Sequence, residues 1–286
     1  MKVWLTAATD IGKERQNNED CCGVCQDVLT VRWEGTDNYV PIPECGVIAV
    51  VADGMGGPNA GEVAAGIVID KIKALLADRR MASGNPDETF PAVCNELIRL
   101  SQDAIREYVC QNPDAMGMGT TLVVLWLVNG LAHVAWCGDS RCYVFHPGKG
   151  LRPLTKDHSY VQELVDKGEI SQEEAFLHPE NNVITKGIGD LDVPSDLDYV
   201  NYPVESGDIF LLCSDGLCGS CRDDLIERIV ATHQKDMKQC RQALIKAALD
   251  AGGYDNIAVA LVAVTDVMPE GARFSLTRWL HRKNKK

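Results

Sequence analysis

The chain has 286 residues, of which 45% are hydrophobic, and its formal net charge is −13. This length suffices for a buried core in one large or two ordinary domains, and the acidic balance argues against nucleic acid as a partner, because basic surfaces hold phosphate backbones. The longest apolar run, residues 120–128, falls far short of the roughly 20 residues that span a membrane. The apolar part of the N-terminus is too short for a secretory signal, so we expect a cytoplasmic protein.

The predicted elements alternate between strands and helices along the chain. Runs rich in valine, isoleucine and aromatic residues predict strands at 3–8, 21–26, 28–33, 47–52, 120–128, 131–137, 142–145, 209–213 and 257–264. Apolar residues spaced three and four apart predict helices at 60–77, 91–110, 223–232 and 237–251. Asn129-Gly130 predicts a tight hairpin, and Asp139-Ser140 joins the next two strands closely, so we expect an antiparallel meander there. The pattern as a whole predicts an α/β sandwich of packed sheets covered by helices.

Acidic residues end or follow apolar strand-like runs at several distant points of the chain. They are Glu19, Asp20, Asp53, Asp139, Asp215 and Asp255. Carboxylates gathered at the ends of buried strands repel one another unless a cation lies between them. Hard divalent cations are the ions that such oxygen ligands bind. The pattern therefore predicts a bridged pair of Mg²⁺ or Mn²⁺ ions.

The glycine-rich segment 51–61 is the sharpest local signal, because it predicts a strand, a tight loop and then a helix. Glycines let the backbone approach a ligand closely, so the carbonyl of Gly54 can face a metal beside Asp53. A dinucleotide-binding loop is the competing interpretation, but the glycine spacing does not match its fingerprint. A plain turn remains the simpler alternative.

Arg15 precedes Glu19 and Asp20 by a few residues. This spacing places a guanidinium near the predicted metals, where it can bind two oxygens of a phosphate at once. Taken alone, an arginine followed by two acids is more often a surface cluster.

Twelve cysteines include two C-x-x-C pairs, Cys22 with Cys25 and Cys218 with Cys221. Such pairs form many structural zinc sites, but residues three apart in a strand point to opposite faces. We expect reduced, buried thiols, with a zinc site and a redox role as the alternatives.

Seven short motifs occur in order between residues 4 and 264. They are Gly12-x-x-Arg15-x-x-Asn18-Glu19-Asp20, Asp53-Gly54-Met55-Gly56-Gly57, Gly119-Thr120-Thr121, Gly138-Asp139-Ser140-Arg141, Leu154-Thr155-Lys156-Asp157-His158-Ser159, Ser214-Asp215-Gly216-Leu217 and Asp255-Asn256. In order and spacing they resemble the motifs of the bacterial metal-dependent serine/threonine phosphatases of the protein phosphatase type 2C family.

The resemblance implies a four-layer α-β-β-α sandwich with two central, mainly antiparallel sheets. It implies a catalytic domain over residues 1–270, with a flap at about 157–189. It also implies hydrolysis of phosphoserine and phosphothreonine on proteins by a hydroxide that bridges two Mn²⁺ or Mg²⁺ ions. Its partners would be phosphoproteins, namely a cognate serine/threonine kinase or the substrates of that kinase, and we expect a monomer.

The resemblance further implies a role for each acid of the centre. Asp53 would bridge the two ions, with Asp215 and Asp255 on one ion and the Gly54 carbonyl on the other. Glu19 and Asp20 would hold metal-bound waters, and Arg15 would orient the phosphate. Asp139 would share a weaker third ion with Asp215, and a plain turn residue is the alternative for Asp139.

The sequence departs from the family pattern at three places. Met55 stands where animal members carry a histidine, so no side chain is assigned as the general acid. Ala258 replaces the usual threonine after Asp-Asn-Ile. Residues 27–44 predict a longer hairpin than usual, with Trp33 and Tyr39 exposed at its tip.

Two histidines and the C-terminus need separate interpretations. His158 and His178 lie in the flap region, but oxygen ligands fill hard Mg²⁺ or Mn²⁺ sites, so we interpret His158 as a structural hydrogen-bonding residue at a helix start. We expect the flap to govern substrate choice. The basic tail, residues 271–286, carries six basic residues and no acid, which predicts a solvated end, with a docking segment as the alternative.

Two other function classes stay open. A catalytically inactive binding module of the same fold is disfavoured, because every metal-ligand position is filled. A two-metal phosphohydrolase of nucleotides or other small molecules would need a base- or sugar-binding signature, and we find none in the sequence.

Overall fold

A computed structural model describes residues 1–56, 60–78 and 84–266 of the chain. Its strands are β1 Lys2–Asp10, β2 Asp20–Cys25, β3 Val40–Pro41, β4 Val47–Met55, β5 Gly119–Thr120, β6 Leu122–Val128, β7 Leu131–Cys137, β8 Arg141–His146, β9 Gly150–Pro153, β10 Ile188–Gly189, β11 Asp198–Pro203, β12 Ile209–Cys213 and β13 Ile257–Thr265. Its helices are α1 Gly61–Ala77, α2 Pro86–Gln111, α3 Tyr160–Asp166, α4 Gln172–Phe176, α5 Asp215–Cys218, α6 Asp223–His233 and α7 Met237–Asp250. The basic tail and part of the glycine-rich segment, residues 57–59, lie outside the described residues.

The strands form two antiparallel sheets. One has the order β3-β1-β13-β12-β8-β9, and the other has the order β10-β5-β4-β6-β7-β11, with β2 paired to β4. A buried apolar layer between the sheets includes Val3, Val51, Val123, Phe210 and Val262. Helices α1 and α2 pack on the outer face of the second sheet, and α5, α6 and α7 pack on the outer face of the first. The predicted four-layer α-β-β-α sandwich is confirmed.

This layering explains why the central strands are continuous apolar runs. Every residue of β6 is buried, and so is every residue of β12. A strand that is covered on one face by a second sheet and on the other by helices has no solvent side, so alternation of polar and apolar residues disappears. None of the described helices is long and apolar enough to cross a membrane.

The helix α2 begins five residues before its predicted start. Asn85 caps it, with the side-chain oxygen accepting a hydrogen bond from the Asp87 amide, and Pro86 occupies the first turn. Both are favourable starts for a helix. Pro91, which the prediction takes as the first residue, lies inside the helix instead.

The predicted meander is wrong beyond its first hairpin. Strands β6 and β7 pair around Asn129-Gly130 as expected, but β7 and β8 lie in different sheets. The connection at Gly138, Asp139 and Ser140 crosses from one sheet to the other. Gly138 has a φ of 105° there, a conformation that side-chain-bearing residues rarely adopt, and a Cβ on it would lie 2.6 Å from Thr121. The crossing therefore places Asp139 where the two sheets meet.

The predicted strand at 28–33 is also wrong, and the residues at the predicted hairpin tip are not exposed. Residues 28–33 form turns, and their β-pairing is limited to one isolated bridge between Asp27 and Arg32. Trp33 is half-buried, with its ring packed on Gly23. Tyr39 packs edge-on against Trp4, with ring centroids 5.7 Å apart. The 27–44 segment thus folds back onto the sandwich, because its aromatic residues cover apolar surface there.

Candidate metal centre

Sheet pairing brings together three aspartates from distant parts of the chain. Strands β2 and β4 pair antiparallel with Asp20 opposite Asp53, and Asp215 follows β12 as the first residue of α5. The carboxyl group of Asp53 lies close enough to those of Asp20 and Asp215 for their charges to act on one another. The predicted convergence of these three residues is therefore present.

Asp139 extends this group from the other side. It is buried at the crossing between the sheets, and its carboxylate acts electrostatically on those of Asp53 and Asp215. A plain turn residue would face solvent, so the burial distinguishes Asp139 from an ordinary turn aspartate. Its role as a ligand of a third ion stays a prediction.

Glu19 lies beside the start of α1, next to Gly54. The Gly54 amide donates to the Glu19 carbonyl at 3.1 Å. A Cβ at Gly54 would lie 2.1 Å from the Gly61 carbonyl oxygen, and a Cβ at Gly61 would lie 2.7 Å from the Glu19 carboxylate. Both positions therefore require glycine for steric reasons, and this crowding sets Glu19 against the end of β4.

Asp255 and Arg15 meet at the rim of the centre. The Arg15 guanidinium donates to the Asp255 carboxylate at 2.7 Å, and half of the arginine side chain is exposed. This hydrogen bond raises the pKa of Arg15, with smaller contributions from the charges of Glu19 and Asp215. Arg15 is thus part of the centre and not of an unrelated surface cluster.

Burial and mutual repulsion shift the titration of the whole group. Burial raises the pKa of Asp20 to about 8, opposed by a hydrogen bond from Ser214 and reinforced by the charge of Asp215. Burial also raises the pKa of Asp53, Asp139 and Asp215, and neighbouring carboxylates raise it further in each case. Carboxylates in such a site are stabilised in their charged form by cations.

One buried oxygen of this group has no partner. Asp20 Oδ1 is buried and makes no hydrogen bond, although an unpaired buried carboxylate oxygen is costly. Among the described residues, no three His, Cys, Asp or Glu side chains have an arrangement that would hold a metal as it stands. The carboxyl groups of the centre act on one another through their charges. Their donor set, all oxygen, nevertheless fits Mg²⁺ or Mn²⁺.

Ser214 positions Asp20, a role that the sequence analysis missed. Its hydroxyl accepts from the Ala258 amide at 2.8 Å and donates to Asp20 Oδ2 at 2.6 Å. The serine thereby ties β12, β13 and β2 together at the acidic centre. Its position directly before Asp215 was the available signal, but its partner Asp20 lies 194 residues away in the chain.

Asn256 orders the loop that carries Arg15 and Glu19. Its side-chain oxygen accepts from the Glu19 amide at 2.8 Å, and its amide nitrogen donates to the carbonyls of Ile11 and Asn17 at 2.9 Å. One side chain thus fixes three backbone groups of the 11–19 loop. The neighbouring Asp255 was the only sequence signal for this role.

Thr121 links Asp53 to the crossing that carries Asp139. Its hydroxyl oxygen accepts from the Asp53 amide at 3.0 Å and lies 2.7 Å from Ser140 Oγ. Either hydroxyl can be the donor of the hydrogen bond between Thr121 and Ser140, because each has one O–H and two acceptor lone pairs. The link joins β4 in the second sheet to the residue next to Asp139.

His158 is confirmed as a structural hydrogen-bonding residue. Its Nδ1 accepts from the Gly138 amide at 3.1 Å, which leaves the proton on Nε2 to donate to Asp198 at 3.1 Å. The imidazole stacks on Trp136 at an interplanar angle of 12°. Burial lowers the pKa of His158. The histidine therefore braces the crossing before Asp139, at the point where α3 and its N-cap Ser159 begin.

All twelve cysteines are free, and eight of them are buried as expected; Cys21, Cys22 and Cys45 are partly buried, and Cys110 is exposed. Cys22 packs between the sheets and Cys25 packs against the helical side, so the pair points to opposite faces as predicted. Burial raises the pKa of Cys22 to about 12. Such thiols are protonated and unreactive at neutral pH.

Comparisons with known proteins agree with this architecture. The family described as Protein phosphatase 2C matches residues 18–251 of the chain. The chain is 33% identical over 262 residues to protein phosphatase PhpP of Streptococcus pneumoniae, covering 92% of this chain and 98% of PhpP.

Two solved structures have the same fold at similar identity. The Mycobacterium tuberculosis serine/threonine phosphatase PstP/Ppp aligns with a TM-score of 0.76 at 30% identity, covering 93% of this chain and all of that one. The catalytic domain of PstP in complex with two manganese ions aligns with a TM-score of 0.73 at 31% identity, covering 93% and 99%. Sequence and fold together show that this chain belongs to the protein phosphatase 2C family.

Proposed function

We propose that the protein hydrolyses phosphoserine and phosphothreonine on protein substrates, with two Mn²⁺ or Mg²⁺ ions in the acidic centre. The observation that carries this proposal is the meeting of Asp20, Asp53 and Asp215, with Asp139 beside them and one buried Asp20 oxygen left without a partner. The solved PstP catalytic domain, which contains two manganese ions, supports the choice of metal.

The chain offers oxygen donors for two ions, with Asp53 between them. Asp215 and Asp255 would hold one ion, the Gly54 carbonyl would serve the other, and Glu19 and Asp20 would hold coordinated waters. Bound cations would offset the mutual repulsion of the Asp20, Asp53 and Asp215 carboxylates. When bound, the two ions would supply an acidified bridging water and neutralise the charge of the phosphate.

Arg15 would bind the phosphate of the substrate. Its guanidinium lies at the rim of the centre, and its hydrogen bond to Asp255 leaves other N–H donors available. A phosphate that lies beside the ions is therefore within reach of a planar, bidentate donor. Asp139 would share a third, weaker ion with Asp215. No side chain is assigned as the general acid.

The partners belong to the same proposal. Relatives are named as serine/threonine phosphatases, which supports phosphoproteins, either a serine/threonine kinase or the substrates of that kinase, as the physiological targets. A monomer and a cytoplasmic location stay predictions of the sequence.

Hydrolysis assays on purified protein test the proposal. A phosphothreonine peptide and a set of nucleotides are each incubated with Mn²⁺, with Mg²⁺ and with a chelator, and phosphate release is measured. We expect turnover of the peptide with either metal and none with chelator, because oxygen-ligated ions exchange readily. Turnover of nucleotides alone would instead support the small-molecule phosphohydrolase, and no turnover of any substrate would support an inactive binding module.

A further inference from the structure

A cavity of about 240 Å³ joins the acidic centre to the flap. Asp139 and Asp215 form one end of it, and the other walls come from α3, α4, α5 and the start of α6. Pockets for small-molecule ligands commonly measure about 300–1,000 Å³. The volume is therefore that of a site for one side chain of a larger substrate.

The walls of this cavity are partly apolar. Val161, Ala175 and Phe176 contribute from the flap, and Cys218 contributes from α5. The first two are buried, and Phe176 is half-buried. Such a wall accommodates the aliphatic stem of a side chain, so the charged groups decide which side chain is bound.

Most charges along the cavity are already compensated. Arg141 binds Asp157 through two nitrogens, at 2.8 and 2.7 Å, and also donates to Tyr143. Asp223 accepts from the Tyr143 hydroxyl at 2.9 Å and lies 3.9 Å from Arg141. At the other end, Asp139 and Asp215 belong to the proposed metal centre. These groups leave little free charge for a substrate.

Arg222 is different, because its guanidinium is held in place without an anionic partner. It lies over the ring of Phe176, with its central carbon 4.9 Å from the ring centroid. Within residues 1–56, 60–78 and 84–266, its side chain makes no hydrogen bond and no ion pair. A stacked guanidinium keeps its five N–H donors in a fixed plane. The remaining carboxylate, Glu173, lies on the exposed side of α4 and has no such support.

We propose that this cavity is a specificity subsite for an aspartate or glutamate near the phosphorylated residue of the substrate, with Arg222 binding the carboxylate. The proposal rests on the proposed phosphatase activity. Phe176 of the flap forms one wall of the subsite. Arg222 of the catalytic body supplies the charge that recognises the substrate.

The test compares phosphothreonine peptides that carry either glutamate or glutamine at one flanking position, over three positions on each side. The ratio of kcat/KM for glutamate over glutamine is measured for the wild type, for Arg222→Gln and for the control Glu173→Gln. We expect one position at which the wild type prefers glutamate by roughly fivefold to tenfold, as for a partly exposed charge-assisted hydrogen bond. That ratio should fall to about one in Arg222→Gln and persist in Glu173→Gln.

Turnover of p-nitrophenyl phosphate, which has no flanking residues, should be the same in all three proteins. If the wild type turns over neither this compound nor the peptides, the proposed function itself fails. If the wild type is active but treats glutamate and glutamine alike at every position, the subsite proposal is wrong. A preference for glutamine over glutamate in the wild type, or a glutamate preference that survives in Arg222→Gln, would also overturn it.

Discussion

Replacing Thr121 by valine tests whether a hydroxyl away from the ions holds the acidic centre together. The Thr121 hydroxyl oxygen accepts from the Asp53 amide at 3.0 Å and is hydrogen-bonded to Ser140 Oγ at 2.7 Å, and the side chains of Thr121 and Ser140 are both buried. Valine has nearly the same shape but removes both hydrogen bonds. It therefore leaves a buried amide and a buried hydroxyl without this partner.

The expected magnitude follows from those two groups. Each buried polar group that loses its partner costs about 1–3 kcal/mol, so Thr121→Val should lower the free energy of unfolding by about 2–6 kcal/mol. Because Asp53 and the crossing next to Asp139 lose their common anchor, the Mn²⁺ concentration for half-maximal activity should rise by about 10- to 100-fold, as for groups that orient metal ligands.

Two measurements check this prediction. Urea unfolding of the metal-free protein gives the change in stability, and an Mn²⁺ titration of phosphothreonine peptide turnover gives the change in metal dependence. Thr121→Ser is the matched control, because it keeps the hydroxyl and loses only a methyl group. We expect it to lose about 1 kcal/mol and to keep wild-type Mn²⁺ dependence. A valine variant with wild-type stability and wild-type Mn²⁺ dependence would refute this role of Thr121.

Three further predictions concern the rim, the third ion and pH. Arg15→Ala should raise KM more than it lowers kcat, since a phosphate clamp acts on the ground state and the transition state alike; steady-state kinetics with a collapsed kcat and an unchanged KM would contradict this. Asp139→Ala should keep the two-metal core, but its turnover should be lower and added Mn²⁺ should not restore it. If the variant instead loses about 1 kcal/mol of stability, measured by its melting temperature, and keeps its rate per folded molecule, Asp139 is a turn residue. Burial and the charge of Asp215 raise the pKa of Asp20 to about 8, despite the hydrogen bond from Ser214. Because the folded protein therefore holds this proton more tightly than the unfolded chain does, the contribution of Asp20 to the stability of the fold is complete below about pH 4 and is lost as pH rises towards 8. Urea midpoints of the metal-free protein should therefore fall across this range, and a rise would contradict the shift.

The acidic residues were predictable from the sequence because each one lies at or near the end of a strand. Apolar runs such as those of β6 and β12 are unambiguous when both faces of a strand are covered. The motifs that include Asp53 and Asp215 follow or end such runs, so local patterns sufficed to find them. Their convergence depends on sheet order, which the resemblance to the family implied.

The positioning residues were not predictable in the same way. Ser214 acts on Asp20 across 194 residues, and Asn256 acts on Glu19 across 237. Neither contact has a local signature. The crossing at Asp139 was misinterpreted because a short connection between two strands looks the same in sequence whether the strands pair or lie in separate sheets. The positive φ of Gly138 and the imidazole of His158 decide between these outcomes, and both depend on tertiary contacts.

The Asp53→Asn variant tests most directly the claim that the acidic centre binds two metal ions that are needed for turnover. Its Mn²⁺ binding by titration calorimetry and its turnover of a phosphothreonine peptide are compared with those of the wild type and of Asp103→Asn, a control on the exposed face of α2. Circular dichroism confirms that each protein is folded. We predict that Asp53→Asn loses at least one bound ion and several orders of magnitude of turnover, while Asp103→Asn matches the wild type. A folded Asp53→Asn protein that binds Mn²⁺ and turns over the peptide like the wild type would contradict the two-metal account.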